Sequence, residues 1–175
     1  MYLTEKRVIE LVTEWFPNQF SVNRRIPGVS NCLFKPDLLS EYLGLAIEFD
    51  GFRHYSVSSQ IKRDKKKDKI LEDLGYRTVH IPYFVQSSDN LWNYVFDNRV
   101  GRKKIHVERV YDDGFIDKKA MLPADFCELG VERFLEDLST FQYCKELIIN
   151  SLKNKVLELK DIDLVIPPSI RYLLN

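Results

Sequence analysis

Residues 47–55 read IEFDGFRHY, and how this stretch is read decides the fold. Ile47, Phe49 and the residues before them form a short apolar run of strand type, while Glu48 and Asp50 stand two apart within it. Side chains alternate across a strand, so both acids project to one face and Ile47 and Phe49 to the other. Gly51 ends the strand and turns the chain, and His54 follows four residues after Asp50. Two carboxylates on one strand face need a reason: either that face is solvated, or something compensates their charge.

Upstream, Thr4 followed by EKRVIELVTEWF predicts an N-capped helix, with Val8, Leu11, Val12, Trp15 and Phe16 at helical spacing and Pro17 closing it. A turn-rich stretch with Arg24 and Arg25 leads into LFKPDLLSEYLGLAIEFDG, read as a hairpin. Its first strand ends near Pro36 and Asp37; the second runs from Leu43 to Phe49 or Asp50. Downstream, residues 60–74 have helical spacing and Gly75 as a stop, and YRTVHIPYF alternates as a strand that Pro82 ends. Strand, helix and strand make a crossover unit. Residues 1–99 are therefore expected to form an α/β core, a mixed β-sheet flanked by helices, with a further short helix at 91–96. Residues 100–175 are expected to be a mostly helical C-terminal extension: a hairpin around 101–115, helical periodicity from Glu132 to Leu157, and the tail IPPSIRYLLN.

The chain of 175 residues is long enough for one well-filled core, and its 26 basic and 26 acidic residues cancel. Any attraction to nucleic acid must be local. Three separated cysteines without a CxxC pair suit reduced intracellular thiols, and the charged N-terminus has no apolar signal core, so a cytoplasmic protein is expected.

A hairpin carries Asp37 alongside Glu48 and Asp50. Three clustered carboxylates call for a divalent cation, and Mg2+, with Mn2+ as a substitute, suits a few carboxylates plus water. His54 stands where it can exchange a proton with a bound water or a leaving oxygen; the bland alternative is a loop histidine capping the next helix. His80 and His106 alternate in strand-like segments and are read as ordinary histidines. Lys62, Arg63, Lys65, Lys66, Lys67 and Lys69 make the helix after His54 cationic, with Arg63, Lys66 and Lys67 the candidates for nucleic-acid phosphates. The bland alternative is a solvated face ion-paired through Asp64 and Asp68. Arg102, Lys103 and Lys104 form a weaker patch.

These elements in this order resemble the PD-(D/E)xK nuclease superfamily, in the branch similar to very-short-patch-repair endonucleases. The likeness covers about Thr4 to Phe96. It is carried by Glu48, Asp50, Gly51 and His54, then Asp64, Lys67, Leu71, Gly75 and Tyr76, with Pro36-Asp37 upstream. It implies a restriction-endonuclease-like core and a Mg2+-dependent DNA endonuclease. In that reading Asp37 and Glu48 or Asp50 hold the metal, and His54 is the acid/base or holds the water. Asp64 and Glu5, with Glu10 as the lesser choice, orient it. The usual lysine after the second acid is replaced by Asp50, which hands the cationic role to His54, Lys67 or a second metal. The alternatives are a non-catalytic nucleic-acid-binding or interaction protein that keeps the fold, and a nuclease subunit of a larger restriction, transposition or defence assembly. The C-terminal extension is a candidate surface for a homodimer or a partner protein.

Overall fold

The computed structural model describes residues 2–27, 34–97, 113–115 and 121–175. The expected hairpin at 101–115, His106, Cys32 and the Arg102 patch fall largely or wholly outside them.

Helix α1 (Glu5–Trp15) starts where its cap predicts: the Thr4 hydroxyl accepts the Arg7 N–H at 3.2 Å. Strands β1 (Ser21–Val22), β2 (Leu38–Ser40), β3 (Leu45–Asp50) and β4 (Arg77–Pro82) form one sheet in that spatial order. The first two pairings are antiparallel and β3–β4 is parallel, so the sheet is mixed as expected. Two boundaries differ from the reading above. The first hairpin strand starts after Asp37 instead of ending there, because Pro36 lacks a ladder N–H and the Asp37 side chain is occupied by the Phe49 N–H. The short edge strand β1 lies in the stretch taken as turns; with only two paired residues it has too little periodicity to be legible.

The parallel pair is joined by a short helix α2 (Arg53–Ser56) and by α3 (Ser58–Asp73). Gly75 ends α3 with φ 84°, its N–H bonding to Glu72 C=O at 2.8 Å while Tyr76 N–H bonds to Leu71 C=O at 2.9 Å. That is the paired closure of a glycine-terminated helix. Gly51 is different: its φ is not left-handed and nothing lies within 4 Å of where a Cβ would stand, so glycine is not required there.

The sheet has two unlike faces. Leu38, Leu45, Ile47, Val79 and Ile81 bury against α1 and α4 (Asp89–Phe96), where Trp15 meets Trp92 edge-on at 4.8 Å. The opposite face, under α3, has a small apolar cluster of Leu39, Ala46 and Leu71, and then turns polar at Glu48, Asp50 and His80.

Past residue 120 the helical periodicity expected from Glu132 to Leu157 is carried by two helices, α5 (Glu128–Thr140) and α6 (Lys145–Leu159), separated at Phe141–Cys144 where Phe141 and Cys144 are buried. The tail docks through Ile166 and Ile170. Phe115, Phe126 and Phe134 belong to the same apolar cluster as Val8, Ile47 and Trp92, and Phe84 stacks on Phe115 at 5.2 Å. The extension thus shares the core of residues 1–99. Among the described residues no helix is long and apolar enough to cross a membrane, Cys144 is a buried free thiol and Cys127 a half-buried one.

Helix α5 approaches α2 over Gly130, where an added Cβ would stand 1.6 Å from the Tyr55 carbonyl oxygen. Gly130→Ala is therefore expected to lower the unfolding free energy measured in urea by about 3 kcal/mol, although alanine is the better helix former by about 1 kcal/mol. A stabilised variant would contradict this close packing.

Candidate functional site

The polar end of the sheet is built outward from Asp50, whose side chain is fully buried on β3. Three cationic or protonatable groups from three elements converge on it. His80 Nδ1, on the adjacent β4, lies 2.9 Å from Asp50 Oδ2; His54 Nδ1, on α2, lies 3.2 Å from Oδ1; and Arg133 Nη2, on α5, pairs closely with Oδ2. Burial is the largest influence on Asp50 and by itself raises its pKa, but His80, Arg133 and His54 together overcome it and hold the carboxyl below the usual range.

The same pairing favours the charged form of His80. Burial disfavours its charge, yet Asp50 on one nitrogen and Asp68 on the other, at 3.0 Å, hold its pKa well above the ordinary histidine value. His54 donates from Nδ1 to Asp64 Oδ2 at 2.7 Å, and Asp64 also accepts from Gln60 at 2.9 Å and Arg133 Nη1 at 3.1 Å. Burial pushes Asp64 up, and the His54 and Arg133 partners bring it net below its usual range. Tyr55 completes the group: the Arg133 guanidinium lies over its ring at 5.5 Å, and its hydroxyl donates to Asp137 at 2.6 Å. Burial drives Asp137 up to about 7 in spite of that bond and of Arg133.

Glu48 and Asp37 form a neighbouring cluster. Lys67 Nζ, on α3, stands 2.7 Å from Glu48 Oε1, and both side chains are nearly closed to solvent. The ion pair offsets only part of the burial cost, so Glu48 is raised to about 7, with Asp37 adding to the rise. Asp37 accepts the Phe49 N–H at 2.8 Å. Glu5, at the start of α1, is raised mainly by burial and then by Asp37, which puts it at the same mouth, whereas Glu10 pairs with Lys6 and Arg7 on the outer face of α1.

All six candidate acids and histidine, Glu5, Asp37, Glu48, Asp50, His54 and Asp64, are therefore brought together. Their partners are what the sequence reading did not foresee. Basic groups stand beside the candidate Mg2+ ligands: Lys67 against Glu48, and Arg133 and His80 against Asp50. Among the described residues no group of three or more His, Cys, Asp or Glu side chains is disposed to hold a metal ion. Lys67, read as a phosphate contact, is turned inward onto Glu48, while Arg63 and Lys66 are exposed. His80, read as an ordinary strand histidine, bridges Asp50 and Asp68. Arg133 was missed. Its signal is faint: Gly130, Arg133 and Asp137 recur at helical spacing as a non-apolar stripe in an otherwise amphipathic helix.

A family model for the RAP domain, an RNA-binding domain family, matches residues 47–87. The matched segment begins at Ile47 on β3 and carries Asp50, His54, Asp64, Lys67 and His80. No PD-(D/E)xK nuclease signal accompanies it, so the nuclease resemblance and the Mg2+-dependent DNA endonuclease drawn from it are corrected by this match. Of the acids that carried the resemblance, Glu48, Asp50 and Asp64 lie inside the RAP-matched segment, each beside a basic side chain, and Asp37 lies upstream of it. Comparison with curated proteins and with solved structures gives no match.

Arg133→Ala strands Asp50 and Asp64 beside fewer cations and is expected to cost about 3–5 kcal/mol in urea unfolding; a loss under 1 kcal/mol would remove Arg133 from the centre of the network. Glu48 gives a pH test. A carboxyl whose native pKa lies above its unfolded 4.5 contributes stability that is present at low pH and lost as pH rises through about 7. Wild-type protein is thus expected to lose stability relative to Glu48→Gln between about pH 5 and pH 7, and a difference that stays constant would contradict the raised value.

Proposed function

We propose that this chain binds single-stranded RNA through the outer face of α3 and that the buried charge network holds this helix on the sheet. The observation that carries the reading is the coincidence of the RAP match at residues 47–87 with the most cationic surface of the described chain. Lys62, Lys65, Lys66 and Lys69 are all exposed and recur at helical spacing, opposite the buried Ile61, Asp64, Lys67 and Leu71. Arg53 and Arg63 are exposed beside them. Lys69 also pairs with Glu72 and Asp73, but such exposed pairs are weak and exchange readily for phosphate.

Zero net charge fits this reading. A protein without an overall positive field relies on a local basic stripe, and its affinity falls steeply with salt. The inward-facing acids lie beneath α3, while the lysines face away from them, so the two sets of charges are separated by the helix itself. The alternative weighed at the outset, a non-catalytic nucleic-acid-binding protein, has the support of the family match, with RNA in place of DNA as the partner.

The test is fluorescence anisotropy with labelled single-stranded RNA and DNA of one sequence over a salt series, in EDTA and in Mg2+. RNA binding that persists in EDTA is expected, with a log–log salt slope that becomes shallower by roughly 2 when Lys62, Lys65 and Lys66 are all changed to Ala. Lys67→Met, altered beneath the helix, is expected to leave the slope unchanged. Absence of RNA binding by the wild-type chain, or a slope insensitive to the triple change, would overturn the proposal.

A further inference from the structure

An open pocket of about 790 Å³ lies at the free edge of the sheet, outside the RAP-matched segment. It is formed by the end of the α1–β1 connection, by β1 itself and by the turn between β2 and β3. Its volume falls within the roughly 300–1,000 Å³ of small-ligand sites. Leu39 supplies an apolar wall, Phe20 lines the pocket while its ring packs with Phe16 and Phe96, and Tyr42 projects into solvent with 85% of its surface exposed. An exposed tyrosine on a tight turn packs nothing for the fold, so its ring is free to stack on a ligand.

The polar lining narrows the ligand. Asn18 and Gln19 carry amides that both donate and accept, while Arg24 and Glu41 place one positive and one negative charge at the same mouth. Balanced charge selects against a phosphate, which would meet Glu41 as well as Arg24. It suits a neutral heteroaromatic ring with donors and acceptors on its edge, stacked on aromatic and guanidinium planes. The backbone fixes these groups. Asn18 and Asn23, at φ 64° and 50°, hold left-handed conformations on either side of β1, which few residues other than glycine adopt and asparagine adopts most readily.

One wall of the pocket also packs against α3. Leu39 packs with Leu71 of α3 in the small apolar cluster, and Glu41 is close enough to Tyr76, just past the end of α3, to raise its pKa after burial has done so. The pocket wall and the inner face of α3 thus meet in one cluster, with the lysine stripe on the other side of the same helix.

We propose that this pocket receives an unpaired nucleobase of single-stranded RNA, stacked against Tyr42 and contacted at its edge by Asn18, Gln19 and Glu41. The assignment rests on the RNA-binding reading above, with phosphates on α3 and a base at the sheet edge.

The experiment uses the full chain and single-stranded RNA of about a dozen nucleotides, carrying 2-aminopurine at successive positions. Wild-type protein is expected to quench one or a few positions by stacking. Tyr42→Ala is expected to abolish that quenching and weaken Kd by about tenfold with the salt slope unchanged; Tyr42→Phe, which keeps the ring, is expected to restore both. Because Tyr42 is exposed, its unfolding midpoint should match wild type, which separates lost contact from lost fold. RNA binding with full affinity and quenching in both Tyr42→Ala and Arg24→Ala would overturn the pocket while leaving RNA binding in place. Failure of the wild-type chain to bind RNA would overturn both.

Discussion

The structure is organised around one buried charge. Asp50 has no solvent exposure, and an ionised carboxylate can be held there only because His80, His54 and Arg133 surround it. These partners come from β4, α2 and α5, so satisfying one carboxylate fixes the position of three elements relative to β3. Apolar packing specifies that helices cover the sheet. The charge network specifies where they sit, since hydrophobic contact is tolerant of sliding and a buried ion is not.

The two faces of the sheet divide the work. Beneath α1 and α4 the face is apolar and packed with aromatic side chains, the kind of interior that gives stability without directionality. Beneath α3 the apolar part shrinks to Ile26, Leu39, Ala46 and Leu71, and Glu48–Lys67 and the Asp50 network take over. Helix α3 is thereby anchored by charges on its inner face and cationic on its outer face. Lys67 and Lys66 are adjacent in sequence and opposite in role, one closing an ion pair under the helix and the other open to solvent.

Local features were legible in the sequence wherever the cause is local. The Thr4 cap, the Gly75 stop, the alternation of 77–82 and the shared face of Glu48 and Asp50 all follow from residue spacing, and the structure has them. Arg133 and His80 were not legible as site residues, because their roles are set by proximity between segments 83 and 30 residues from Asp50 in the chain. The acid pattern itself was ambiguous. Glu48, Asp50, His54 and Asp64 in that order resemble a nuclease motif, but the same residues sit within the RAP-matched segment, and clustered carboxylates can be neutralised by arginine, lysine and histidine as well as by a metal. Spacing reveals that charges meet; it does not reveal what they meet.

The reach of Arg133 has a consequence for what counts as a unit of this molecule. The segment recognisable as RAP ends at residue 87, yet its central carboxylate is balanced from residue 133, and its aromatic side chain Phe84 stacks on Phe115. A fragment cut to the recognisable boundaries would keep Asp50 and lose its strongest permanent cation, together with a wall of its core. The RAP-matched segment thus shares its buried charges and its aromatic packing with residues beyond 87. Helix α5 belongs to it by physics, although not by resemblance.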